Sequence, residues 1–249
     1  MNNIKIALQL YTVREECQTD FIGTLEKVSE LGYEGVELAG VHGLTAEQLK
    51  KDLDRLNLKV VGSHIGLDEL EKDLDNIIDY NKTINNSIIV CPYGKWENKD
   101  ELEELVCKLN TISNQLNNAG LQLLYHNHSH EFDKIDDSYG LDLLYTLTKK
   151  SNMLMELDTH WVKRADKDVI DYMNQNKDIL KLVHIKDMKE INGEKTFAAI
   201  GEGTMDIQAI INKASEIGCS WVIVENDQPE PNGIENVTVS INNLKNMLG

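Results

Sequence analysis

Residues 4–14 read Ile4-Lys5-Ile6-Ala7-Leu8-Gln9-Leu10-Tyr11-Thr12-Val13-Arg14. Ile4–Leu10 is a short apolar run of the kind a strand buried on both faces carries. A doubly wound open sheet usually follows its first strand with a glycine-rich turn. Here Tyr11-Thr12-Val13-Arg14 follows, and it contains no glycine. Seven further apolar runs succeed the first: Gly35–Ala39, Lys59–Ser63, Ser87–Cys91, Leu121–Tyr125, Met153–Leu157, Leu180–Ile185 and Trp221–Val224. Between them lie stretches of helical period, such as Phe21, Leu25, Val28 and Leu31, or Leu102, Leu105, Leu109, Ile112 and Leu116. Several end in a glycine that feeds the next run, as at Leu31-Gly32, Ala119-Gly120 and Ile217-Gly218. Eight strand–helix units of about 31 residues each match an α/β fold of TIM (β/α)8 barrel type. No linker or low-complexity block interrupts them, so a single domain over residues 1–249 is expected.

The composition agrees. A chain of 249 residues is long enough to bury a large core without staples. Lys+Arg 25 against Asp+Glu 42 leaves a net charge of −17, which disfavours nucleic acid and anionic lipid as partners. No apolar run is long enough to span a membrane. Met1-Asn2-Asn3-Ile4-Lys5 does not read as the start of a signal peptide, so a cytoplasmic location is expected. Cys17, Cys91, Cys107 and Cys219 form no CxxC and are expected to be buried apolar residues.

In such barrels the chemistry gathers at the C-terminal ends of the strands. Those ends carry Gln9 or Tyr11; Glu37; His64; Cys91 with Tyr93; His126, His128 and His130; Asp158 and His160; His184, Lys186 and Asp187; and Glu225 with Asp227. Six of the seven histidines fall there, all but His42. Imidazoles and carboxylates on four consecutive strands point to a divalent ion, with Mn, Co, Zn or Fe(II) suited better than Mg. Period two lets His126, His128 and His130 share a face, although only one or two should reach the centre. Each residue alone has a plainer reading. Asp158 could cap the next helix, though apolar helical periodicity resumes only at Val169. Lys186-Asp187 could be a surface ion pair. His130, Glu131 and Glu230 read as solvated loop residues. Gly201-Glu202-Gly203-Thr204 could offer backbone N–H groups to a phosphate, but reads by default as a turn.

The chain resembles the xylose isomerase-like TIM barrel superfamily of sugar isomerases and epimerases, also called the AP endonuclease 2 group. The resemblance spans essentially the whole chain. It is carried by Leu8-Gln9-Leu10-Tyr11-Thr12-Val13-Arg14, Gly35-Val36-Glu37-Leu38, the segment from Gly120-Leu121 to His128, Leu157-Asp158-Thr159-His160, His184-Ile185-Lys186-Asp187, Gly201-Glu202-Gly203 and Val224-Glu225. It implies one divalent ion held by His126, Asp158, His184 and Glu225. It also shows a departure: many sugar epimerases of the group have Glu-Pro on strand 5, where this chain has His126-Asn127. A symmetric epimerase with two opposed carboxylates is thereby disfavoured.

The resemblance implies a metal-dependent sugar isomerase or epimerase that removes a proton beside a carbonyl. A lyase acting on a keto-inositol or a 3-keto-glycoside, or a non-catalytic sugar-binding barrel, are the alternatives. Glu225 and His128 are the candidate proton carriers, and Lys186 the candidate partner of the oxyanion. Glu37, His64 and His160 are candidate substrate contacts, with Tyr11, Tyr93 and Trp161 as an apolar face. Scarce Lys and Arg near the mouth disfavour a phosphorylated sugar. The acidic balance disfavours the DNA-repair members of the group. A homodimer is a possible assembly.

Overall fold

The structure is a computed structural model that describes residues 4–248; Met1–Asn3 and Gly249 lie outside the described residues. Eight parallel strands close into a barrel: β1 (Lys5–Gln9), β2 (Gly35–Leu38), β3 (Lys59–His64), β4 (Ile88–Cys91), β5 (Gln122–His126), β6 (Leu154–Asp158), β7 (Leu180–Ile185) and β8 (Trp221–Val224). Strand β1 pairs with β2 on one side and with β8 on the other, which removes every edge. Helices surround the barrel, among them Phe21–Leu31, Lys99–Asn118 and Ile207–Ile217. None is long and apolar enough to cross a membrane among the described residues.

Three strands run one residue beyond the apolar runs that mark them. His64 pairs with Val90, His126 with Glu156 and Asp158 with His184, so the polar residue at each end is still held in the sheet. This fixes the direction of the side chains, because alternate residues share a face. The barrel interior therefore fills in two tiers. Below, Ala7, Val61, Val90, Leu124, Leu182 and Ile223 form an apolar plug. Above it, two residues further along their strands, stand Gln9, His126, His184 and Glu225. Leu154, Glu156 and Asp158 share the inner face of β6 in the same way.

Two bulges interrupt the ladders. Val36 and Glu37 pair with Val60 and Gly62, and Met155 and Glu156 pair with Leu180 and Leu182, so Val61 and Lys181 are extra residues. Bulges of this kind bend a strand and re-aim its neighbours.

The structure adds two hairpins that the periodicity does not mark. One joins Lys134–Ile135 to Ser138–Tyr139 and the other joins Asp187–Ile191 to Glu194–Ala198. The second turns at Asn192 and Gly193, with φ of 54° and 85°, as a tight hairpin turn requires. Two expectations are corrected, and one plainer reading, Asp158 as a helix cap, is borne out. Cys107 is exposed on its helix, while the other three cysteines are buried. A helix starts at Thr159, capped by Asp158, ten residues before the apolar periodicity resumes at Val169. Lys186 and Asp187 are no surface pair, for both are buried.

Asp187 also explains the Gly201–Thr204 loop. Its carboxylate accepts from Met188 N, Gly201 N, Gly203 N and Met205 N at 2.8–3.1 Å. A Cβ on Gly203 would collide with that carboxylate. The backbone donors expected to meet a phosphate are thus taken by the protein itself. Asp187→Ala leaves four N–H groups without their acceptor. It is expected to cost about 3 kcal/mol or more of stability, read as a lowered urea midpoint.

Candidate metal centre

Four ligand atoms converge where β5, β6, β7 and β8 end. His126, Asp158, His184 and Glu225 each offer one atom, and all four lie within 4.8 Å of one another. All four residues are buried. His126 Nε2 lies 3.4 Å from Asp158 Oδ2, and His184 Nδ1 lies 2.8 Å from Glu225 Oε2. Asp158 divides its carboxylate. Oδ1 accepts from His160 N at 3.0 Å and Trp161 N at 3.4 Å, capping the helix Thr159–Arg164, and Oδ2 is left for the centre. Asn127 grips the backbone of Asp158 from both sides, accepting its N–H at 2.9 Å and donating to its carbonyl at 3.3 Å.

Lys186 stands beside this set. Its Nζ lies 2.8 Å from Asp158 Oδ2, 2.8 Å from Glu225 Oε2 and 3.1 Å from Asp227 Oδ2. Burial opposes its charge, but Asp158, Glu225 and Asp227 outweigh burial and hold its pKa well above the usual lysine range. It remains an ammonium and serves as a fixed positive charge. Burial lifts Asp158 to about 6 against the pull of Lys186, whereas Glu225 is held well below the usual carboxylate range because Lys186 and His184 outweigh its burial.

A second layer lies beneath. Glu37 Oε2 accepts from Gln9 Nε2 at 2.8 Å and faces His184 Nε2 at 2.7 Å and His64 Nε2 at 3.1 Å. Glu156 Oε2 faces His64 Nε2 at 2.8 Å, His126 Nδ1 at 2.9 Å and His184 Nε2 at 3.2 Å. Burial disfavours charge on His64 and His184, yet Glu37 and Glu156 prevail. They lift His64 to about 10 and hold His184 well above the imidazole range. His126, pressed by burial and by His184 and His64, goes well below it.

The charges test whether a cation belongs here. Glu37, Glu156, Asp158 and Glu225 are buried, and Asp227 stands at the rim. Lys186 is the one lysine or arginine among them. Without an ion the four buried carboxylates are answered by Lys186 and by the raised imidazoles of His64 and His184, and a divalent ion at the centre would replace the charge that His184 otherwise carries as an imidazolium. Two imidazole nitrogens and two carboxylate oxygens suit Zn, Mn, Co or Fe(II). The residues fit a divalent ion.

A cavity of about 520 Å³ opens above the centre. Tyr11, Tyr93, Trp161 and Phe197 supply apolar walls, and His64, His126, His128, Glu225 and Asp227 supply polar groups. Neither lysine nor arginine lines it. His128 borders the cavity with Nδ1 unpartnered. Burial first, then Lys186, lowers its pKa to about 3, so the ring is neutral. Glu131 holds it from behind, accepting from His128 N at 2.8 Å and from Tyr125 Oη at 3.0 Å. Glu131 is therefore fully buried rather than solvated, a correction to the sequence reading. His130, one residue earlier, faces Gly94 O at 2.8 Å.

The structure thus gathers His126, Asp158, His184, Glu225 and Lys186 at one point and places His64 and His128 at the cavity. Glu37 lies below the centre instead of facing the cavity. His160 is buried and stacked on Phe197, 4.6 Å between ring centroids, outside the cavity lining. Sequence reasoning passed over Glu156 and took Glu131 for a solvated residue. A charged residue inside Met153–Leu157 was the available signal for Glu156.

A family profile described as xylose isomerase-like TIM barrel matches residues 25–246. The chain belongs to this family. Relatives of this xylose isomerase-like barrel include an inosose dehydratase of Lacticaseibacillus casei, 21% identical, with 85% of this chain and 83% of that one covered. Among solved structures, a sugar phosphate isomerase/epimerase from Parabacteroides distasonis superposes with a TM-score of 0.83 at 23% identity, covering 98% of this chain and 94% of that one. The IolI protein, solved with a bound zinc atom, superposes with a TM-score of 0.78 at 16% identity, covering 98% of each. At these identities the structural likeness speaks for the fold.

Proposed function

We propose that the protein is a divalent-metal-dependent lyase that removes water from an unphosphorylated cyclic keto-polyol or keto-sugar. The observation that carries this reading is His128, an imidazole that lines the cavity beside a four-ligand cation set. His126, Asp158, His184 and Glu225 would hold the ion. Bound there, it supplies Lewis-acid stabilisation of the negative charge that builds on the ketone oxygen.

The chain's own groups do the rest. His128 takes the proton from the carbon next to the ketone. Burial and the Lys186 ammonium disfavour charge on its ring, so the imidazolium does not keep the proton. It hands the proton to the hydroxyl on the following carbon. That C–O bond breaks, water leaves, and a C=C bond forms between the two carbons. Lys186, buried behind Asp158 and Glu225, holds these two carboxylates as a fixed ammonium and adds positive field to the site. The aromatic walls cover the apolar face of a ring. A cavity without Lys or Arg, beside a glycine loop whose donors are spent on Asp187, offers a phosphate nothing.

The relative named inosose dehydratase supports elimination, which was the runner-up in the sequence reading, over isomerisation. A second reading, a sugar isomerase, shares the first proton transfer. It draws on Glu225, which borders the same cavity as His128 and gives a second group able to carry a proton. The test is to load the protein with Mn, Co or Zn and offer keto-inositols, 3-keto-glycosides and aldoses in deuterated water. Loss of one water with a new ultraviolet absorbance supports the lyase. Deuterium uptake at unchanged composition supports the isomerase. Ligand binding with neither change overturns both and leaves a sugar-binding barrel.

A further inference from the structure

We propose that Glu156 and Glu37 are positioning residues that fix opposite tautomers of His126 and His184, turning one bare nitrogen of each ring toward the metal centre. The inference rests on the reading of His126, Asp158, His184 and Glu225 as ligands.

Each of the two rings is caught between two carboxylates. His126 meets Glu156 through Nδ1 at 2.9 Å and Asp158 through Nε2 at 3.4 Å. His184 meets Glu37 through Nε2 at 2.7 Å and Glu225 through Nδ1 at 2.8 Å. A carboxylate only accepts; without an ion His184 meets both of its carboxylates as an imidazolium, but a ring that binds a metal through one nitrogen keeps at most one N–H. One side of each ring must therefore set a lone pair against an anion, unless a cation lies between. The outer side has that cation's place. Lys186 already stands 2.8 Å from both Asp158 and Glu225 there. The inner carboxylates have no ammonium, and Glu37 draws only on Gln9, His64 and His184. The N–H of each ring thus belongs to the inner side. His126 carries it on Nδ1 and His184 on Nε2.

The backbone is shaped for this. Glu37 and Glu156 each sit at a register shift, the one facing Val61 and the other Lys181 as the extra residue. A Cβ on Gly62 would collide with Glu37 Oε1. Glu156 is the register partner of His126 itself. Hence the strand-5 position, filled by an imidazole, has a carboxylate directly behind it. His64, His126, Glu156 and His184 also come close enough to hold an ion. That would use the inner nitrogens of the same two rings. Neutral imidazoles cannot serve both sets, so the tautomers also decide which set is the centre. Outer carboxylates that orient ligand imidazoles are a recurring device of metal proteins.

The test measures Co(II) affinity of the wild type and of Glu156→Gln by calorimetry, with the visible spectrum of the bound Co(II) as second readout. The expected result is a dissociation constant raised about 10–100-fold and a shifted spectrum, with the circular dichroism unchanged. Affinity within twofold of the wild type overturns the inference while leaving the ligand set standing. A wild type that binds no Co(II) overturns the ligand set itself. Should the variant fail to fold, ¹⁵N spectra of histidine-labelled, zinc-loaded wild type decide. They are expected to show N–H on Nδ1 of His126 and on Nε2 of His184. The same tautomer for both rings refutes the proposal.

Discussion

Asp158→Ala protein, purified without chelator, carries less than about a tenth of the metal found in the wild type. Two facts combine in this expectation. Asp158 Oδ2 is held only by Lys186 Nζ, 2.8 Å away, and it lies among the donor atoms of His126, His184 and Glu225. The variant should nonetheless fold. Asp158 Oδ1 caps a helix of six residues, a contact worth about 1 kcal/mol. Lys186 keeps Glu225 and Asp227 when Asp158 is gone. His184→Ala is expected to lose metal likewise. Elemental analysis beside a thermal melt checks both variants. Metal retained in folded Asp158→Ala places the ion elsewhere.

His128→Ala should show the opposite pattern. Its metal content stays at the wild-type level, while kcat falls by about 10²–10⁴. His128 lies outside both four-residue cation sets and lines the cavity. KM should change little, because the lost interaction acts on the transferred proton and the aromatic walls remain. The check is turnover on whichever substrate the product assay yields. A variant as fast as the wild type takes the proton carrier's role away from His128.

The eight strands were legible because buried parallel strands read as short apolar runs, and the runs lie in order along the chain. The convergence of His126, Asp158, His184 and Glu225 was legible for the same reason, since polar residues stand out where apolar runs stop. Which of His126 and His128 joins that cluster was not, because it depends on whether one more residue pairs in the sheet. That pairing, His126 with Glu156, is a long-range fact. Glu156 escaped notice inside an apolar run whose inner face could not be told from its outer one. Glu131 looked solvated because its partners, Tyr125 Oη and His128 N, come within reach only when the short helix His130–Phe132 folds back. The hairpin over Asn192-Gly193 was readable from its turn chemistry. The service of Asp187 to glycines fourteen and sixteen residues on was not.

The two tiers of the barrel interior divide the labour of holding the protein together. The lower tier is joined by dispersion and excluded water, and it asks nothing of the solvent. The upper tier is joined by charge, and its balance depends on whatever cation the solution provides. If the centre holds the proposed ion, its removal is expected to loosen the mouth and leave the plug shut, so the barrel would give up its metal and take it back without passing through the unfolded chain.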